Sequence, residues 1–157
     1  MEIRSQNWIL EPAEELSMNQ IRSELRFCEE AQAALKFLAK DGFECIAASE
    51  RQVRYESAKV YIEILHGFHD FEVHIVFGRM EKQERYSFEL FLKSVNPALE
   101  KTLGDRMADT PETVAATVRA VSLALQSDGQ EIIIGDDDVF ECMKDVRWWQ
   151  FCPEALE

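Results

Sequence analysis

The sequence predicts an α+β fold: a long N-terminal helix, an antiparallel meander of four to five strands, and C-terminal helices packed on one sheet face. Three observations carry this. Apolar residues recur at helical spacing over residues 17–40 and again after residue 110, and period-two alternation fills much of 53–77 between them. The six Gly and four Pro form no linker, and no repeat or low-complexity segment interrupts the chain. Residues 1–157 therefore read as a single domain, a usual size for one.

The first helix is expected over residues 17–40. Ser17 and Gln20 form an S-x-x-Q capping box, with Leu16 and Ile21 at the staple positions. Ile21, Leu25, Cys28, Ala31, Leu35 and Leu38 make one apolar stripe, and Gly42 supplies the stop. Strand-like segments follow. Residues 43–48 are weakly patterned, while Val53 and Tyr55 alternate with Arg54 and Glu56. Val60, Ile62 and Ile64 alternate with Tyr61, Glu63 and Leu65; Phe71, Val73, Ile75 and Phe77 alternate with Glu72, His74 and Val76.

The last two strands constrain their own register. Their core sets are even-numbered and odd-numbered respectively, so opposed residues must have numbers with an odd sum. A four-residue loop, 67–70, meets this and sets Glu63 opposite His74. A two-residue loop also meets it but opposes Glu63 to Glu72, which like charges disfavour.

A charged turn, 79–85, leads to residues 86–95, whose pattern suits strand or helix and which Asn96-Pro97 closes. Thr110-Pro111 is a good helix start, with Val114, Val118, Val121 and Leu125 as its stripe and Asp128-Gly129 as its end. Ile132 to Ile134 form a short apolar link. Asp136 caps a last helix to about Arg147, with Val139, Phe140, Met143 and Val146 inward.

Charge narrows the classes of function. There are 30 acidic residues against 17 basic ones, a net −13. Sequence-independent nucleic-acid binding needs clustered Lys and Arg, and an anionic membrane repels such a chain, so neither partner is expected. No signal-peptide core or bilayer-length apolar run is visible, which points to a soluble cytoplasmic protein. Four cysteines without a C-x-x-C pair suit buried structural thiols better than zinc.

Catalytic and cofactor motifs are not evident: there is no G-x-S-x-G and no phosphate-cradling glycine loop, and no cofactor is expected. His66, His69 and His74 lie beside Glu63, Asp70 and Glu72, but parity sends His66 to the core, His69 to the turn and His74 to the opposite face. Three imidazoles aimed three ways cannot share an ion, so no metal is expected. Glu63 and His74 could serve as an acid–base pair, yet a solvated sheet face carries such charges routinely. Asp136, Asp137 and Asp138 are explained by capping and by the positive end of the helix dipole.

Two surfaces stand out instead. The outer sheet face mixes Tyr61, Leu65 and Val76 with Arg54, Glu56, Glu63, Glu72 and His74, more apolar surface than a purely solvated face needs. Cover from the Trp8-Ile9-Leu10 segment or from a second subunit, as in a homodimer, would account for it. The acid excess is also local: residues 51–100 hold eight acids and seven bases, residues 101–157 twelve and five. Asp137, Glu141 and Asp145 fall at i, i+4 and i+8 on one helix face, with Asp138 beside them and Trp148, Trp149 and Phe151 just beyond. Solubility alone explains such a face, and so does a protein partner with a basic surface.

The run FLAKDGF, then VRYESAKVYIEI, a further alternating strand and a G-D-x-x-x-F helix resembles small acidic bacterial immunity-type proteins associated with polymorphic toxin systems. The resemblance spans residues 35–147. It implies a one-to-one inhibitor of a toxin domain, without catalytic residues, acting through an acidic surface such as Asp137, Glu141 and Asp145. An acidic secretion-chaperone-like homodimer is the second binding reading, although the strand pair expected there before the last helix is reduced to Ile132–Ile134. A small enzyme using Glu63, His74 and Glu72 is the alternative of a different class.

Overall fold

Helix α1 spans Pro12–Leu25 in the computed structural model, which describes residues 12–67 and 70–145. Trp8-Ile9-Leu10, His69, Val146, Arg147, Trp148, Trp149 and Phe151 lie outside the described residues. Proline opens α1 where its missing N–H costs nothing, so Ser17 is an interior position and the expected capping box does not start the helix. Arg26 then takes left-handed backbone, φ 61°, before α2, Phe27–Ala34. A 3-10 helix, Lys36–Asp41, follows and stops at Gly42, φ 83°.

The expected single helix is therefore three helical pieces, and the break at Arg26 shifts the phase of the apolar stripe. Leu25, Ala31, Leu35 and Leu38 are buried as expected, whereas Ile21 is 42% exposed and Phe27, outside the expected stripe, is fully buried. Arg22 turns inward next to Ile21 because it has partners there. One guanidinium N–H donates to His66 Nδ1 at 3.0 Å and another to the Gly67 carbonyl at 2.6 Å.

The sheet is the expected antiparallel meander, in the order β1-β2-β3-β4-β5. Its strands are β1 Glu44–Ala48, β2 Gln52–Glu56, β3 Val60–His66, β4 Val73–Arg79 and β5 Tyr86–Ser87. β1 is exposed at every residue, and the register slips between Cys45 and Ala47, leaving Ile46 in a bulge. The β3–β4 pairing keeps the odd sum that a common buried face demands, with Val60 opposite Arg79 and His66 opposite Val73.

The connecting loop is six residues, 67–72, not four. Glu63 therefore opposes Val76 and Leu65 opposes His74, so the expected Glu63–His74 pair does not form. The cause is a competing partner for the start of β4. Val73 N–H donates to Arg106 O, Ala108 N–H donates to Phe71 O, and Glu72 bridges to Met107. Phe71, at φ 56°, turns the chain into that pairing.

Residues 86–95 are both strand and helix. Two residues complete the sheet as β5, and Ser87 then caps α3, Phe88–Val95, by accepting from Leu90 N–H. Asn96 ends α3 and starts α4, Pro97–Leu103, a helix the sequence reading did not include. Helix α5, Pro111–Asp128, has the expected start at Thr110, in a reciprocal capping box with Thr113. Residues 130–133, expected as an apolar link, form α6, Gln130–Ile133, with Ile132 and Ile133 buried. Helix α7 is Asp137–Asp145, capped as expected by Asp136, whose Oδ1 accepts from Asp138 N–H at 3.0 Å.

Between the helices and one sheet face lie Val53, Ile62, Ile64, Val73, Phe77, Leu125, Phe140 and their neighbours. Phe77 is central, its ring 5.7 Å from that of Phe140 and 6.2 Å from that of Phe91. The thiols depart from expectation: Cys28 is half-buried, while Cys45, on the edge strand, and Cys142, on the outer side of α7, are exposed. Among the described residues no helix is long and apolar enough to cross a membrane.

Candidate functional site

The acidic face of α7 is built around one arginine from the sheet. Arg79 ends β4 on the same side as Val73, Ile75 and Phe77, so its side chain emerges where the core face meets α7. Glu84 grips it, accepting from the Arg79 backbone N–H at 3.2 Å, from Nε at 2.9 Å and from Nη2 at 2.5 Å. The remaining donors reach Asp137 and Glu141, each at 3.2 Å, and the guanidinium sits 5.2 Å above the Phe140 ring.

One cation thus faces three carboxylates. Only Glu84 is consumed: its side chain is 7% exposed, whereas those of Glu141 and Asp137 remain 54% and 80% exposed. Burial alone would push the Glu84 carboxyl up, but the Arg79 hydrogen bonds outweigh it and hold the group below the ordinary carboxylate range. Glu141 is also held low, first by Lys144 at 3.3 Å and then by Arg79.

A cleft of about 480 Å³ opens beside this helix, with Lys59, Arg79, Glu81, Lys82, Asp137 and Glu141 on its walls. Asp138 and Asp145 are exposed on the same helix. Phe140 and Met143 are buried beneath them and fix the helix to the body of the protein. Four of the six sequence-singled residues of this surface, Asp137, Asp138, Glu141 and Asp145, are thus on one anchored helix; Trp148 and Trp149 are outside the described residues.

The outer sheet face holds the second group. Glu63 and Tyr61 are almost fully buried, so this face is not a purely solvated one. Glu63 accepts from Arg54 Nη1 at 2.6 Å, Gln52 Nε2 at 2.9 Å and Arg85 Nη1 at 3.0 Å. Burial would raise its pKa, yet the two arginines prevail and keep it ionised below the ordinary range. Arg54 also donates to Glu56 at 2.7 Å and lies 4.1 Å over the Tyr61 ring, while Tyr61 O–H donates to Glu84 O at 2.5 Å. The two candidate regions therefore meet at Glu84.

A carboxylate already accepting from three donors is a poor proton acceptor, and His74 is not opposite it. His74 lies instead between Glu72, 3.2 Å from Nε2, and Glu89, 3.7 Å from Nδ1. His66 faces the core as parity required: Nε2–H donates to Ala108 O at 2.8 Å and the ring stacks on Phe27.

Arg79, Glu84, Arg85 and Gln52 were not among the expected site residues. Parity was the available signal for Arg79, since an odd-numbered residue continuing Val73-Ile75-Phe77 must leave the sheet on the helix side. Comparison with protein-family models, with curated proteins and with solved structures found no match.

Proposed function

We propose that this chain is a non-catalytic protein-binding module, an immunity-type inhibitor that covers a basic surface of a partner toxin with the acidic face of α7. The observation that carries the reading is the unequal use of the acids around Arg79. Glu84 satisfies the arginine, which leaves Asp137 and Glu141 oriented yet open to solvent. Carboxylates held in place before binding lose little side-chain freedom on meeting a partner's Lys or Arg, and their field steers the encounter. Asp138 and Asp145 extend the same field, and buried Phe140 and Met143 keep the helix from yielding.

The chaperone-like reading has less support, because the segment where a strand pair is expected is the one-turn helix α6. The enzyme reading has less again, since Glu63 is saturated by donors and His74 is not its partner.

The test is titration of the purified chain against the toxin-like domain encoded beside its gene, at low and high salt. The expected result is a one-to-one complex weakened by salt, and weakened about 100-fold or more by joint Asp137→Lys, Glu141→Lys and Asp145→Lys substitution. Unchanged affinity in that variant would remove α7 as the surface. Absence of any complex would remove the inhibitor reading itself.

A further inference from the structure

His74 is on the outer side of β4, and the turn that leads into the strand, with Phe71 in left-handed backbone and Glu72 N–H donating to Asp70 Oδ1 at 3.1 Å, brings Asp70 and Glu72 beside it. One ligand atom from each, two carboxylate oxygens and one imidazole nitrogen, lie within 4.8 Å of one another. Donors bound to one zinc-sized ion at about 2.0–2.2 Å stand about 3–4 Å apart, so small side-chain adjustments suffice to close on it. We propose that these three residues form a binding site for a divalent first-row transition metal of the zinc class. The convergence argument against a site of three histidines does not reach this set, because it needs a single imidazole and takes its other donors from the adjoining turn.

The surroundings of His74 are negative as well. Both ring nitrogens face carboxylates: Nε2 is 3.2 Å from Glu72 and Nδ1 is 3.7 Å from Glu89. A neutral imidazole carries only one N–H, so one of those contacts sets a lone pair against a negative charge. A metal ion on that nitrogen removes the conflict. With Glu89 on the Nδ1 side, the tautomer protonated at Nδ1 presents the Nε2 lone pair to the side where Asp70 and Glu72 converge. Histidines that bind metals usually have an outer carboxylate on the second nitrogen, a place Glu89 would take by approaching a few tenths of an ångström.

Glu89 is in turn ion-paired with Arg106, whose side chain is largely buried. The backbone is held as well, by the Glu72–Met107 bridge and the Val73 N–H to Arg106 O bond. Locally Asp70, Glu72 and Glu89 outnumber Arg106, leaving a negative field. An imidazole with two carboxylates favours zinc, iron(II), cobalt(II) or manganese over calcium and magnesium, which prefer all-oxygen sites. Asp70 is exposed and Glu72 and His74 half-exposed, so the ion would load from solvent and keep water ligands.

The test is calorimetric titration of the chelator-treated, thiol-reduced full chain with Zn2+, repeated on His74→Ala and on the milder Glu72→Gln. Cobalt(II) absorption serves as a report of donor type. The proposal expects one equivalent of Zn2+, affinity reduced about ten-fold or more in each variant with the melting curve retained, and a cobalt spectrum without thiolate charge-transfer bands. No saturable binding overturns it, and so does wild-type affinity in both variants. A thiolate band that disappears with Cys28→Ser and Cys45→Ser also overturns it, by locating the metal on the cysteines. His74 resonances that do not move on addition of Zn2+ likewise end the proposal.

Discussion

Glu63 and His66 sit on opposite faces of one strand, both nearly sealed from water, and hold opposite charge states. Glu63 stays ionised because two guanidinium groups and an amide replace its hydration, while His66 stays neutral because burial and the adjacent Arg22 disfavour a second cation. The pH dependence of stability follows. An unfolded chain takes up a proton on His66 below about pH 6.5, which the folded state resists, so stability falls as pH drops through that value. Glu63, Glu84 and Glu141 have depressed folded pKa values. Their contribution is complete above about pH 4.3 and is lost on further acidification. Glu50, raised first by burial and then by Glu29, opposes them singly. Urea unfolding midpoints should fall from pH 7.5 to 5.5 and more steeply below 4.3. His66→Gln should flatten the upper portion alone, and a flat wild-type profile between 7.5 and 5.5 would contradict this account.

At the scale of elements, parity carried a great deal of information. It correctly placed His66 inward and His74 outward, and it required the odd-sum register that β3 and β4 adopt. Parity cannot set loop length, which depended on the distant 106–108 segment capturing the backbone of residues 71–73. The break at Arg26 was equally illegible, because neither Gly nor Pro marks it. Asn96-Pro97, by contrast, carried a signal that its reading as a closure passed over: it repeats the logic of Thr110-Pro111, a side-chain cap followed by a proline at the first helical position. The site was legible as an acidic row on α7, while its organising arginine was concealed within what reads as a charged turn.

Gly78 tests how tightly the β4 end is built. A Cβ there would lie 2.4 Å from Glu84 O and 2.8 Å from the Tyr61 ring, so the 79–84 turn that delivers Glu84 to Arg79 would have to move. Gly78→Ala should cost about 1–3 kcal/mol in urea unfolding, as overpacking does. A neutral result would show that the turn is not rigidly held.

Across the whole molecule, a net charge of −13 is unevenly spread, and its cations are concentrated where they are needed. Arg54 and Arg85 are committed to Glu63, and Arg79, shared among Glu84, Asp137 and Glu141, together with Lys144 on Glu141, offsets only part of the charge on α7, so its exposed acids still repel one another. Screening should therefore help more than it harms. Increasing sodium chloride shortens the Debye length from about 30 Å at 0.01 M to about 10 Å at 0.1 M, weakening surface repulsion while sparing the buried pairs. The melting temperature should climb by a few degrees over that range, measured by circular dichroism. A decline would mean that exposed attractive pairs dominate.

The two ends of the sheet are finished differently. Beyond β4 the hydrogen-bonding edge is occupied by β5 and by the 106–108 bridge, whereas among the described residues no strand pairs with the outer edge of β1, which is interrupted by the bulge at Ile46. A sheet with one open side and one blocked side cannot propagate. If two copies met strand to strand through β1, the joined sheet would present only blocked sides, and growth would end at two. With only two residues, β5 offers little edge for further pairing among the described strands, which leaves the bulge the milder task of discouraging pairs.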